Sequence, residues 1–330
     1  MRVLKIKPSK RLFIYAVIVL FLTGAILLIL SISKKAAEPS IPFTYSFSST
    51  PTPCPLPNRV YQSSFSIVDF FEQIFGNRTQ SIDPSLIKSG QQEAENTHFT
   101  LYSESNFLPV DIQWWQRESE KVYYYVSSRL KTTINEKVIV TFLPPQSGNC
   151  GPRGTTFHEQ QPIIFIFANQ TTSKEQVLAT LAHELGHVFL HKEYPDLSDA
   201  ALTEGMATWV AGEYWRDWKG ADFNSGVRNF MSNGTYLPLY PNYDLRKAYD
   251  DKSPDCIAHR DILLTEFASF VDFLIQNYGA EKLSTLFDIR QPELVNNQRV
   301  VYAPNYRDVY GLEFNQLEYE WLKTLLEPGQ

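Results

Sequence analysis

Apolar residues along this chain form one long unbroken run, two stretches with a helical period and several short strand-like segments. The unbroken run covers residues 12–33 and contains no charged residue. A helix that spans a bilayer needs about 20 such residues. Basic residues are more frequent before the run than after it, which favours a cytoplasmic N-terminus. The pattern predicts a cytoplasmic basic tail at 1–11, a transmembrane anchor at 12–33 that lies in the lipid bilayer, and an extracytoplasmic remainder.

A cleaved signal peptide is the alternative interpretation of this run. The apolar core of a signal peptide usually has about 7–15 residues, fewer than the run contains. In addition, no small-x-small cleavage site precedes Lys34 and Lys35. The sequence therefore favours a single-pass membrane protein with an uncleaved anchor.

The segment after the anchor, residues 34–63, is rich in proline, serine and threonine. Such a composition cannot bury a core and tends to stay extended, so we interpret the segment as a linker. Residues 64–330 are enough for one compact unit with two lobes but few for two independent domains.

The first stretch with a helical period begins near residue 173. Its apolar residues recur at steps of three and four, as they do on one face of a helix. Ser173 with Gln176, or Thr172 with Glu175, has the spacing of a capping box, and no proline occurs from 173 to 191. The sequence predicts a helix here, and its apolar stripe consists of Leu178, Leu181, Leu185 and Val188.

The second helical stretch runs from about 199 to 210, and either Ser198 or Asp199 can cap its N-terminus. We also predict strands at 98–102, 137–142 and 162–167 and a further helix at about 110–130. The order of these segments predicts an α+β fold.

The first helix carries a motif with chemical meaning, His183-Glu184-Leu185-Gly186-His187. Residues four apart share one face of a helix, so His183 and His187 can both bind one zinc ion. Glu184 lies beside them, where it can act as a general base on a zinc-bound water. Gly186 is expected where another backbone packs closely against this face.

A third protein ligand is needed, because catalytic zinc sites have three protein ligands and one open position. Glu204 on the second helix is the candidate, and we expect Gly205 beside it to let the two helix backbones approach. The alternative is an extended motif with a glycine seven residues and a third histidine ten residues after the first histidine. Leu190 and Glu193 occupy those positions, which excludes that alternative.

With these motifs the chain resembles the gluzincin metallopeptidases, in particular the peptidase MA-like domain, in which a Glu-Gly-x-Ala helix follows the His-Glu helix. The resemblance covers about residues 98–286, in which 267–279 looks like the family's later helix, and it implies a zincin-like two-lobed fold. Residues 64–192 would form an α/β lobe with the active-site helix, and residues 193–330 a mostly helical lobe. The resemblance also implies a zinc-dependent peptidase.

The chain departs from this family at the residue that stabilises the oxyanion. Where relatives often carry a tyrosine in the later helix, this chain has Leu264. Tyr243, Tyr249 and His259 are possible substitutes, and their spacing does not choose among them.

Composition excludes few functions. The net charge of −6, from 30 basic and 36 acidic residues, argues against nucleic-acid binding. The three cysteines are too few for a disulfide scaffold. Cys150 and Cys256 can pair or remain as thiols, and Cys54 is left over in either case.

Two functions follow from these patterns. The first is a membrane-anchored zinc peptidase that acts on peptide or protein substrates. The alternative is a catalytically inactive zincin-fold binding or structural module on the cell surface. The complete set of His183, Glu184, His187 and Glu204 favours the enzyme. The sequence does not distinguish endopeptidase from exopeptidase action, and it leaves the oligomeric state open.

Overall fold

The computed structural model divides the chain into two compact units, Met1–Ser49 and Thr50–Gln330. All residues that the structure describes belong to the second unit. Within them the chain is a mixture of helices and strands, in agreement with the predicted α+β class. The described residues are 59–62, 90–103, 110–145, 150–158, 161–195, 197, 199–243, 253–287, 293–295, 298–301 and 304–327.

The strands form two sheets. Their bounds are β1 (Arg59–Gln62), β2 (Gln91–Glu95), β3 (Phe99–Ser103), β4 (Val138–Leu143), β5 (Gly154–His158), β6 (Pro162–Phe167), β7 (Glu293–Val295) and β8 (Gln298–Val301). The larger sheet has the order β2-β3-β4-β6-β5, and the smaller has the order β1-β8-β7. Strand β1 lies inside the predicted linker and pairs with β8.

The larger sheet has a parallel centre and antiparallel edges. Strands β3, β4 and β6 run parallel, whereas β2 and β5 run antiparallel to their neighbours. Strands β4 and β6 are buried on both faces, which explains why their sequences are apolar almost throughout. The predicted strand 162–167 is confirmed, and the other two predicted strands begin one residue later and end one residue later.

The helices in the described residues are α1 (Ile112–Leu130), α2 (Lys174–Glu193), α3 (Ala200–Lys219), α4 (Phe223–Asn233), α5 (Cys256–Tyr278), α6 (Ala280–Phe287), α7 (Tyr306–Tyr310) and α8 (Phe314–Leu326). Helix α2 begins after Ser173, whose hydroxyl accepts a hydrogen bond from the Gln176 amide at 3.1 Å, as its capping spacing predicts. Of the two predicted caps for α3, Asp199 is the one used, and it accepts from the Leu202 amide.

One large apolar core joins the sheet to the helices. Helix α2 packs against α3, and α3 packs in turn against α5. One face of the sheet contributes Val140 and Ile164 to this core. The opposite face carries a smaller cluster of Ile139, Leu143, Ile163, Phe165 and Phe167. The sheet and α5 therefore flank the pair of helices that carries the predicted ligands.

The predicted membrane localisation is contradicted by the structure. Among the described residues, no helix has the length and apolar character needed to cross a membrane. The longest of them, α5 with 23 residues, carries the charged side chains of Arg260, Asp261, Glu266 and Asp272. The predicted anchor at 12–33 lies outside the described residues, as do Cys54 and Tyr249.

Candidate metal centre

The structure brings the three predicted ligands together. One ligand atom from each of His183, His187 and Glu204 lies within 4.8 Å of the other two. The two Nε2 atoms are 3.1 Å apart, and Glu204 Oε2 lies 3.2 Å from His183 Nε2 and 3.7 Å from His187 Nε2. Ligands at tetrahedral zinc distances lie about 3.3 Å from one another. The three atoms therefore have the spacing of a tetrahedral metal site.

The chemistry of the donors also fits a cation. Glu204 Oε2 is buried and makes no well-formed hydrogen bond, although it lies close to both imidazoles. Burial by itself would raise the pKa of Glu204, but His187 and His183 lower it well below its usual range. Burial lowers the pKa of His187, but Glu204 and Glu184 raise it by more, so the pKa is raised overall. Two carboxylates and two imidazoles in one buried cluster have the charge that a divalent cation neutralises.

Gly186 allows the two helices that carry the candidate ligands to pack closely. A Cβ atom on Gly186 would lie 2.9 Å from Ala207 Cα of α3, so the expected close approach of a second backbone is confirmed. The expectation for Gly205 is wrong, since that residue faces a different helix. A Cβ atom on Gly205 would lie 3.0 Å from Phe267 Cβ of α5.

Thr208 contacts the first candidate ligand, and the sequence analysis missed this contact. Its hydroxyl lies 3.2 Å from His183 Nδ1, the ring nitrogen on the opposite side from Nε2. A partner on that nitrogen fixes the orientation of an imidazole ligand. Thr208 lies one helical turn beyond Glu204, so the i, i+4 spacing on α3 was a usable signal.

Glu184 is held by the edge strand β5. Thr156 donates a hydrogen bond to Glu184 Oε2 at 2.7 Å. Gly154 leaves room for the same side chain, because a Cβ atom there would lie 2.6 Å from Glu184 Oε1. Burial raises the pKa of Glu184, against the opposing effects of His183, His187 and the Thr156 hydrogen bond. Strand β5 was not predicted, and neither were these two contacts.

A second pair of histidines lies near the candidate ligands. His158, the last residue of β5, stacks on His191 with ring centroids 3.8 Å apart. Burial, together with His191 and His187, lowers the pKa of His158 to about 3. The imidazole of His158 is therefore neutral at physiological pH.

Of the three candidates for oxyanion stabilisation, Tyr243 and His259 belong to the described residues and Tyr249 does not. Tyr243 is buried, its hydroxyl lies 3.2 Å from that of Tyr306, and it also hydrogen-bonds to Asp199. These contacts support the start of α3. His259 lies in the first turn of α5, and its role remains a prediction.

The segment before β5 is attached to α5. Cys150 and Cys256 form a disulfide, which decides between the alternatives left open by the sequence. Arg260 donates hydrogen bonds to the carbonyl oxygens of Cys150 and Gly151 at 3.3 and 3.0 Å. The start of β5, and with it the support of Glu184, is thus fixed to the neighbouring helix.

A comparison with protein families identifies one similarity. Residues 136–214 match the family model Peptidase M78, described as the IrrE N-terminal-like domain. The match extends from just before β4 into α3 and includes all three candidate ligands and Glu184. A comparison with curated proteins finds no match. The family match and the cluster of His183, His187 and Glu204 support a metallopeptidase-like domain with a possible metal site.

Proposed function

We propose that this protein is a zinc-dependent peptidase of the gluzincin type that hydrolyses peptide bonds in peptide or protein substrates. The observation that carries the proposal is the convergence of His183, His187 and Glu204, with their ligand atoms within 4.8 Å of one another. Two imidazoles and one carboxylate are a ligand set of catalytic zinc, with a fourth position for water. Bound by these side chains, zinc would act as a Lewis acid and lower the pKa of a water.

Glu184 is the general base in this proposal. Thr156 engages its Oε2, which leaves Oε1 to accept a proton from the attacking water. The same carboxyl group then passes the proton to the nitrogen of the leaving amine. Burial raises the pKa of Glu184, against the opposing effects of the two histidines and the Thr156 hydrogen bond.

The substrate is proposed to bind along β5. Among the described residues this strand is at the edge of the larger sheet, with a strand partner on one side of its backbone only. An extended peptide can add to such an edge by main-chain hydrogen bonds. Gly154 and Thr156 of the same strand contact Glu184, so a peptide paired there would lie beside the base. We interpret the arrangement as zincin-like, with residues 64–330 as the metallopeptidase domain.

The competing function is a metal-binding or regulatory module without hydrolytic activity. The buried Glu184, held by Thr156 next to the ligands, favours the enzyme. A binding module would not need a general base there.

Glu184→Gln tests the proposal. This variant keeps the three ligands and the size of the side chain but cannot accept the proton. Hydrolysis of a mixed peptide library should fall by about 10²–10⁴-fold, while zinc content measured by elemental analysis stays at the wild-type value. Glu213→Gln is the matched control, because Glu213 is exposed on α3, and it should behave as wild type. Zinc-loaded wild type that cleaves no member of the library would refute the peptidase.

A further inference from the structure

Two cations share one carboxylate beside the metal centre. Arg153 donates to both carboxylate oxygens of Asp261, at 2.5 and 2.7 Å. Lys219 Nζ donates to Asp261 Oδ2 at 2.6 Å. The cluster of Arg153, Lys219 and Asp261 therefore has one positive charge in excess.

Both cations lie over the indole ring of Trp218. The Lys219 ammonium lies 3.6 Å from the centroid of this ring, and the Arg153 guanidinium carbon lies 4.7 Å from it. All three charged side chains are only partly buried, with exposures of 20% for Arg153, 28% for Lys219 and 15% for Asp261. A ligand from solvent can therefore reach them.

Burial and charge make this cluster favourable for an added anion. Burial lowers the pKa of Lys219, Asp261 raises it, and Arg153 lowers it again. A second carboxylate near Lys219 would offset the charge of Arg153 and stabilise the protonated ammonium. Hydrogen bonds between two ionised groups are about twice as strong as those between neutral groups.

The cluster is close to the proposed reaction site on two sides. Arg153 directly precedes Gly154, which contacts Glu184. On the other side, the Trp215 ring lies 6.4 Å from the ligand His183, and Lys219 Nζ lies 5.6 Å from the Trp215 ring. An extended peptide advances about 3.3 Å per residue, so a peptide of roughly three or four residues has the length of these two distances together.

We propose that Lys219 and Arg153 form a carboxylate-binding subsite that selects substrates with an acidic group within about four residues of the cleaved bond. The inference rests on the proposed peptidase function and adds a substrate class to it. The carboxylate can come from an aspartate or glutamate side chain or from the C-terminus of a peptide, since both present the same group.

Peptide binding to the zinc-loaded full chain with Glu184→Gln tests this inference, because this variant should cleave its ligand at least about 100-fold more slowly than wild type. The probes are alanine hexapeptide amides with one Glu or one Gln at each position, and the alanine hexapeptide as free acid or amide. We expect the acidic member of a pair to bind about 10-fold more tightly, the size of one charge-assisted hydrogen bond. A Glu-over-Gln preference identifies a side-chain carboxylate, and an acid-over-amide preference alone identifies the C-terminus.

Substitutions in the same background assign the preference to the cluster. Lys219→Met should reduce it to less than about 2-fold, whereas Lys219→Arg, which keeps the charge, should retain it. Arg216→Met is the matched control, because Arg216 is an exposed cation of the same helix that pairs with Asp217, and it should retain the preference. Thermal unfolding of each variant checks that it is folded.

Equal binding of acidic and neutral peptides, no measurable binding of either, or a preference that survives Lys219→Met would overturn the inference. Hydrolysis of the same peptides by wild type separates the two proposals. Cleavage without preference for acidic peptides overturns the subsite and leaves the peptidase intact. Preferential binding of acidic peptides without any cleavage by wild type overturns the peptidase but keeps the anion site.

Discussion

Gly186→Ala should weaken metal binding and leave the metal-free protein folded. The added Cβ atom would lie 2.9 Å from Ala207 Cα, whereas carbon atoms in contact are usually about 3.5–4.0 Å apart. The neighbour is backbone, so α2 and α3 must separate by about 0.5 Å or more. Metal–ligand distances tolerate only about 0.2 Å, and Glu204 lies on the helix that moves.

The substitution should change two measured quantities, the free energy of unfolding and the zinc affinity. Overpacking costs about 1–3 kcal/mol, and replacing a glycine inside a helix by alanine recovers about 1 kcal/mol. The free energy of unfolding of the metal-free protein should therefore fall by no more than about 2 kcal/mol. Zinc affinity should fall by about 10-fold or more, the size typical of changes around a metal site.

The assay is a zinc titration against a chelating indicator, combined with chemical denaturation in the presence of chelator. Gly226→Ala is the matched control, because this glycine is also helical and its added Cβ atom would meet only the Cγ2 methyl of Thr265, at 3.1 Å. That variant should bind zinc like wild type. If Gly186→Ala keeps wild-type zinc affinity, the close contact of the two helices is not what places the ligands.

Three further predictions concern the site and its support. Glu204→Gln should lose zinc on dialysis while Glu184→Gln retains it, as elemental analysis will show, because only Glu204 contributes a ligand atom. Thr156→Val should keep wild-type zinc content but lower kcat by about 10-fold, since it removes the hydrogen bond that holds Glu184; unchanged kcat would contradict that role. Burial raises the pKa of Glu266 well above its usual value, so the metal-free folded protein holds a proton that the unfolded chain releases above about pH 4.5. Unfolding free energy should therefore decrease as pH rises above about 4.5, by at most about 1.4 kcal/mol per unit for this group, and Glu266→Gln should remove that part of the slope in urea titrations.

The motif helix was the most predictable part of the fold. Its apolar period and the Ser173 cap are local features, and they predicted a helix that the structure confirms. Strand 162–167 was predictable for a similar reason, because a strand buried on both faces is apolar along its length. Strand β5, by contrast, reads Gly-Thr-Thr-Phe-His, which has neither an apolar run nor a clear alternation.

Contacts between helices and strands were predictable only where the residue type itself indicates the kind of neighbour, as a glycine inside a helix does. Gly186 indicated a close backbone neighbour, and Ala207 is that neighbour. Gly205 also indicated a close neighbour but not which helix supplies it, because the sequence does not fix which face of α3 meets α2 and which meets α5. The hydrogen bond from Thr156 to Glu184 depends on the position of β5 in the sheet, which no local pattern specifies.

The disulfide between Cys150 and Cys256 has a consequence for the denatured chain. The two cysteines are 106 residues apart, and His183, His187 and Glu204 all lie between them. In the chain-entropy model, closing a loop of this size lowers the entropy of the unfolded state by the equivalent of about 4–5 kcal/mol. The oxidised chain therefore keeps its three ligands inside one covalent ring even when unfolded. The three side chains therefore meet a metal ion within that ring, and reduction of the disulfide would remove this constraint.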